Sequence, residues 1–353
     1  MMSKIAIIGS TTWGITLGTV WAKGGKDIFL WSRSPEEACL LREGKLAKIK
    51  RLPVDFKLPP HFNVTTSMKE TVADASAVVL AVPAQHMRSN TKLLAPYLSE
   101  NILIISAAKG LELPSNKMMT QVIGEEIDSK LEHNICVLSG PNLAWEILHD
   151  MPAVTVVASE KHSQAEKAHN LLTTPRFCAY TNTDVIGVEL GGALKNIIAL
   201  GAGLIDGLGY GDNAKAALIT RGLTEISALG SSMGANPLTF SGLAGLGDLI
   251  ATCSSNLSRN HYVGVELTKG YSLAEITATM DNIAEGVTTT KAAWQLAQER
   301  ELEMPITERI YEILYEEADL EGSVASMLSS TASHELAGRK WNLFSFFKRV
   351  KKS

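Results

Sequence analysis

Lys195 lies in Gly191-Gly192-Ala193-Leu194-Lys195-Asn196-Ile197-Ile198, a stretch that reads as a helix apolar nearly all round and therefore buried. Burying an ammonium costs free energy, and its pKa should fall from the ordinary lysine value unless a carboxylate compensates. Asp248, in Gly247-Asp248-Leu249-Ile250-Ala251-Thr252, is a candidate for that carboxylate. Other polar clusters fall where an α/β chain places its loops: Lys109 in Ser106-Ala107-Ala108-Lys109-Gly110, Gly140 and Asn142 in Ser139-Gly140-Pro141-Asn142-Leu143-Ala144, and Ser258-Arg259-Asn260. Read blandly, Lys109 is a loop lysine, Asp248 a helix cap, Ser258-Arg259-Asn260 a helix start, and Lys195 a snorkelling side chain.

A second constellation opens the chain. Ile5-Ala6-Ile7-Ile8-Gly9-Ser10-Thr11-Thr12-Trp13-Gly14 reads as strand, tight turn and helix start, close to Gly-x-Gly-x-x-Gly. Gly9 permits the turn, Gly14 lets the helix pack close, and the intervening N–H groups with the helix dipole suit a pyrophosphate. The middle position is Thr11, so the pyrophosphate is expected to shift and to take a hydrogen bond from a threonine hydroxyl; a βα turn with no nucleotide is the bland reading. The next strand ends Trp31-Ser32-Arg33, with no acid at the place where one commonly meets a ribose 2′-OH. Arg33 there favours a 2′-phosphate, hence NADP over NAD.

Near-continuous apolar runs predict strands at 4–8, 27–31, 77–82, 102–106, 135–139 and 154–158, alternating with amphipathic helices: an open, parallel α/β sheet. The pattern changes near residue 185, beyond which helical periodicity prevails at 184–202, 214–229, 288–299 and 307–315 and no strand is expected. The expected layout is a Rossmann-type domain over 1–188, a helical substrate domain over 189–340 and a tail over 341–353, with the site in the cleft at the carboxyl ends of the strands.

Composition bounds the function. A net charge of −4 argues against nucleic acid as a partner. Four cysteines at wide spacing, with no Cys-x-x-Cys pair, predict neither zinc nor disulfides and a reducing, cytoplasmic setting. The histidines show no ligand spacing, so no metal is expected. The N-terminal apolar run is too short for a signal peptide, and no run of eighteen uncharged apolar residues suggests a span. In the tail, Trp341, Phe344, Phe346 and Phe347 precede Lys348, Arg349, Lys351 and Lys352. This is a frayed or packed terminus or, on a sharper reading, an anchor to anionic lipid that deletion of 341–353 would test.

Taken together and in this order, the Gly-Gly-Ala-Leu-Lys-Asn, Gly-Leu-Gly-Asp-Leu, Leu-Ser-Arg-Asn and Asn-Ile-Ala-Glu-Gly motifs resemble bacterial NAD(P)-dependent glycerol-3-phosphate dehydrogenases over residues 4 to about 338. The resemblance implies a Rossmann domain followed by a helical domain of the 6-phosphogluconate-dehydrogenase type, usually a homodimer. It implies interconversion of sn-glycerol 3-phosphate and dihydroxyacetone phosphate for phospholipid synthesis. On that basis Lys195 is the catalytic lysine and Asp248 holds and tunes it. Lys109, Gly140, Asn142, Asn196, Thr252, Ser258, Arg259 and Asn260 contact substrate, with Ser258, Arg259 and Asn260 on its phosphate. Gly9, Thr11, Thr12, Trp13, Gly14, Arg33, Lys109, Ala144, Arg259, Ile283 and Glu285 contact the cofactor. Asn142 stands where relatives often carry Ser or Thr, its amide still able to donate. Glu285 is alternatively a capping carboxylate. Open alternatives are a 3-hydroxy-acid dehydrogenase, a nucleotide-sugar dehydrogenase using Cys253 as nucleophile, and a dinucleotide sensor without catalysis.

Overall fold

The computed structural model describes residues 3–44, 52, 56–280 and 284–329. Eight strands form one sheet: β1 (Lys4–Ile8), β2 (Asp27–Trp31), β3 (Phe62–Thr65), β4 (Ala77–Leu80), β5 (Leu103–Ser106), β6 (Ile135–Ser139), β7 (Ala153–Ala158) and β8 (Phe177–Asn182). Their order is β3-β2-β1-β4-β5-β6-β7-β8. β1, β4 and β5 are almost wholly buried Ile, Val, Leu and Ala. Covered on both faces, they leave no polar alternation, so the apolar run is itself the strand signal.

Two corrections follow. First, β3 and β8 were not foreseen. They are the sheet's edge strands, and Asn63, Tyr180 and Thr181 face solvent, breaking the apolar run. Second, the sheet is not wholly parallel: β7 pairs antiparallel with β6. The link from Gly140 to Pro152 holds only a five-residue helix, Ala144–Leu148. So short a helix does not carry the chain back along the sheet to the end where β6 began, and β7 re-enters from the end where β6 leaves. β7 and β8 are again parallel, joined by the helix His162–Leu172.

After Asn182 the described chain is helical. Its centre is Val185–Gly207, capped by Asp184, whose carboxylate accepts from Gly187 N at 2.9 Å. By length and composition this helix could cross a membrane, but 89% of its most apolar window is buried inside the fold. It is the core helix around which Gly211–Ser232, Asp248–Ser254, Arg259–Thr268, Glu285–Glu299 and Pro305–Tyr315 pack. Gly191 sets how closely it approaches the turn Leu243–Gly247, and Gly192 how closely it approaches the sheet. A Cβ on Gly191 would stand 2.5 Å from the Ala244 carbonyl oxygen, and one on Gly192 2.3 Å from Ser139 Oγ. One turn on from this pair comes Lys195. The tail 341–353 lies outside the described residues, and so does Ile283.

Candidate active site

Lys195 is 5% exposed and anchors the site. Its Nζ donates to Asp248 Oδ1 and, at 2.5 Å, to Thr252 Oγ1. An ammonium has three protons, so one remains for another acceptor. Asp248 begins the helix Asp248–Ser254, directly after a single π-turn, Leu243–Gly247. It is not the N-cap, which is Gly247, and it is 1% exposed. Its second oxygen accepts from Lys109 Nζ at 2.7 Å, and Lys109 also donates to the Gly140 carbonyl at 2.9 Å. One carboxylate thus bridges two ammonium groups. Burial lowers the Lys195 pKa from the ordinary 10.5; Asp248 pulls it up, Lys109 pushes it down, and it settles at about 8.

Around this core the amides interlock. Asn196 donates to the Lys109 carbonyl at 3.2 Å, Asn260 donates to Asn196 Oδ1 at 2.9 Å, and Gly286 N donates to Asn260 Oδ1 at 2.9 Å. Ser258 caps the helix Arg259–Thr268 by accepting from His261 N, so it is a helix start whatever else it binds. Arg259 keeps solvent access yet is closely surrounded by protein, the signature of a concave surface. Lost hydration lowers its pKa and Glu285 raises it. Arg259 makes no hydrogen bond or ion pair among the described residues. Glu285 opens the helix Glu285–Glu299 and accepts from Ala84 N at 3.0 Å, joining the helical part to the loop after β4. Burial raises its pKa, against Ala84 N and Arg259.

The models for NAD-dependent glycerol-3-phosphate dehydrogenase match the chain in two parts: the N-terminal model over residues 4–165 and the C-terminal model over 184–325. A glycerol-3-phosphate dehydrogenase [NAD(P)+] of Dehalococcoides mccartyi is 60% identical over 348 residues, 99% of this chain and 97% of the relative. The chain belongs to the NAD-dependent glycerol-3-phosphate dehydrogenase family. The corresponding protein of Enterococcus faecalis is 46% identical over 93% of this chain and 96% of its own. The crystal structure of a Coxiella burnetii glycerol-3-phosphate dehydrogenase superposes with a TM-score of 0.86 at 33% identity, covering 93% of this chain and 99% of that one.

The family's dinucleotide fits the first turn. Gly9 has φ +110°, and a Cβ there would stand 2.8 Å from the Ala81 carbonyl oxygen. A Cβ on Gly14 would stand 2.2 Å from the Gly9 carbonyl oxygen. Thr12 Oγ1 and Trp13 Nε1 are buried without a partner among the described residues, two polar atoms that the fold itself leaves unpaired. Arg33, exposed and without a hydrogen bond or ion pair among the described residues, follows β2, and Ala144 opens a helix packed on Thr12–Lys23.

At three expected contacts the side-chain donors are already engaged within the protein. The Thr11 hydroxyl gives its one proton to the Ala81 carbonyl at 2.7 Å and accepts from Gly14 N at 3.0 Å, so it is a helix cap with nothing left to donate to a phosphate. Asn142 spends its NH₂ on the Pro141 and Val154 carbonyls at 3.0 and 2.8 Å, leaving free only Oδ1, an acceptor. Thr252 gives its proton to the Asp248 carbonyl at 2.7 Å and accepts from Lys195, so it orients the lysine instead of donating to substrate. Cys253 is fully buried, and desolvation pushes its thiol up to about 12. That removes the nucleophile a nucleotide-sugar dehydrogenase requires. Among the described residues no group of three or more His, Cys, Asp or Glu could hold a metal. Sequence reasoning assigned no role to Ala84 N, which donates to Glu285, or to Ser139 Oγ and Thr289 Oγ1, which are buried without a partner among the described residues; of these Thr289, one turn beyond Glu285, has a spacing that could have marked it.

Proposed function

We propose that Lys195 is the acid–base group with which this dehydrogenase interconverts sn-glycerol 3-phosphate and dihydroxyacetone phosphate. The observation that carries the reading is the bridge from Lys195 through Asp248 to Lys109, with one proton of each ammonium uncommitted. The bound nicotinamide supplies or accepts the hydride at the substrate's C2. Lys195 gives a proton to the C2 oxygen in the reductive direction and removes it in the oxidative one. Asp248 and Thr252 fix the direction of its N–H bonds, and Lys109 brings a second cation toward the developing alkoxide. Unpaired Arg259, with Ser258 and Asn260, holds the substrate phosphate, for which a guanidinium fork is the matching donor set. Gly140 and Asn142 line the approach, Thr12, Trp13 and Gly9–Gly14 hold the pyrophosphate, and Ala144, Ile283 and Glu285 complete the cofactor contacts. Arg33 at the end of β2, without a carboxylate at the ribose position, favours NADP over NAD.

The division of labour is residues 1–188 for the dinucleotide and 189–340 for the substrate. The product serves phospholipid synthesis, in the cytoplasm, and the enzyme is a homodimer, which light scattering at micromolar concentration checks. The deciding assay compares NADPH oxidation with dihydroxyacetone phosphate and with dihydroxyacetone. A kcat/KM preference of at least about a hundredfold for the phosphate is expected, in line with charged hydrogen bonds worth about 1.5–3 kcal/mol each; equal rates would remove Arg259 from its role. Lys195→Ala should lower kcat by about 10²–10⁴ with the fold retained.

A further inference from the structure

Asn196 and Asn260 form a polar chain whose direction is fixed at both ends. It starts at a group that can only donate, the backbone N–H of Gly286, and ends at one that can only accept, the carbonyl of Lys109. Asn260 must therefore present its oxygen to Gly286 and its NH₂ to Asn196. Asn196 must then present its oxygen to Asn260 and its NH₂ to Lys109, so neither amide can be turned over without opposing like groups. The amides are 6% and 7% exposed. Gly286 closes the arrangement: a Cβ there would stand 2.7 Å from the Asn196 carbonyl oxygen and 2.8 Å from Asn260 Oδ1. The chain crosses four pieces of the site, namely the start of the helix bearing Glu285, the helix bearing Arg259, the central helix bearing Lys195, and the loop bearing Lys109.

We propose that Asn196 and Asn260 are positioning residues: their paired amides hold the Lys109 backbone in register with the helix starts that carry Arg259 and Glu285, and so keep the Lys109 ammonium on Asp248. This goes beyond the substrate contact expected of each, and it rests on Lys195, Asp248 and Lys109 being the reacting cluster. Each amide retains one uncommitted N–H, so gripping phosphate and holding Lys109 are compatible, and a substrate without phosphate separates them.

The charges facing Lys195 make the relay visible. Asp248 raises its pKa, Lys109 lowers it, and Cys253 raises it slightly. If Lys109 is released from its anchor, its repulsion weakens and the Lys195 inflection moves up from about 8. Asn260 hydrogen-bonds neither lysine; its side chain bonds Asn196 and Gly286 N, and its route to the Lys109 carbonyl runs through Asn196.

The experiment uses the full chain as Asn196→Ala and Asn260→Ala, with thermal melting to confirm folding and the pH profile of kcat/KM for NADPH oxidation. Both variants should move the inflection upward, and both should lose about tenfold with dihydroxyacetone as well as with dihydroxyacetone phosphate, the scale of one buried hydrogen bond left unmade. Losses confined to the phosphorylated substrate, with the inflection unmoved, overturn the relay and leave simple phosphate contacts. If one variant does not fold, the other decides by the same two readings. A parent enzyme with no inflection near pH 8 overturns the reading of Lys195 itself, a different failure from an inflection present but indifferent to the amides.

Discussion

Asp248→Asn removes one charge and almost no volume from the centre of the site. In the parent, Lys195 with a pKa of about 8 is about nine-tenths protonated at pH 7. An opposite charge in contact is worth about 4 kcal/mol at an effective dielectric near 20, and the asparagine oxygen keeps part of that attraction. Taking half as lost, at about 1.4 kcal/mol per pH unit, the inflection falls by about 1.5 pH units. The sign differs between directions. Reduction needs the ammonium as acid, so kcat/KM falls as pH rises through the inflection; oxidation needs the neutral amine as base, so it rises there. At pH 7 the ammonium fraction in the variant drops to about one quarter, a fourfold loss in reduction from protonation alone. Loosened lysine geometry brings the total to about 10–100-fold. The assay is initial-rate NADPH oxidation and NADP⁺ reduction between about pH 5 and 10, with melting to confirm folding, since Asp248 is 1% exposed. An inflection that stays near 8 or moves upward refutes the reasoning, because Asp248 would then not be what holds the Lys195 proton.

Arg33→Ala should raise KM for NADPH by about tenfold and leave KM for NADH within about twofold, since one charge-assisted bond to a 2′-phosphate is worth about 1.5–3 kcal/mol; initial rates with both cofactors check it. Cys253→Ser should keep kcat within about threefold, because a buried thiol held up to about 12 supplies no thiolate at neutral pH. Thr11→Val should cost about 1 kcal/mol of stability in urea unfolding by removing the cap on Gly14 N, while KM for NADPH changes only modestly, since the Thr11 hydroxyl has no proton left for a phosphate.

The interior of the sheet was legible because strands buried on both faces must be apolar throughout: Lys4–Ile8, Asp27–Trp31 and Ile135–Ser139 form as read, residue for residue. The edges were not. In Phe62–Thr65 and Phe177–Asn182 half of the surface is wet, and Asn63 or Tyr180 looks like loop. The reversal of β7 was hidden in the short link after Gly140, whose length matters only once β6 and β7 are known to be neighbours. At the site, residue types showed what could be donated, not to whom. Thr11, Asn142 and Thr252 all carry suitable donors, and all three are spent on carbonyls that lie beside them only in the folded chain. Lys195 was legible for the opposite reason. An ammonium amid Leu and Ile has so few physical justifications that its surroundings alone demanded a carboxylate, and Asp248 supplies it.

Recognition and catalysis share one charge distribution here. Lys195, Lys109 and Arg259 converge with Asp248 and Glu285, three cations against two carboxylates, and burial favours the neutral form of Glu285. Before substrate arrives, that excess has no counterion among the described residues: Asp248 is shared by two ammoniums and Arg259 is unpaired. On the proposed reading a phosphate ester would supply the missing negative charge, and its binding would offset the lost hydration of Arg259. A hydroxy acid would bring one negative charge on a flat carboxylate beside the reacting carbon, where Lys195 already has two of its three protons committed. Arg259 would then stay closely surrounded by protein with no anion against it. On the proposed reading, discrimination between the two substrate classes would therefore come from the cost of leaving Arg259 unmatched as much as from the attraction it offers a phosphate.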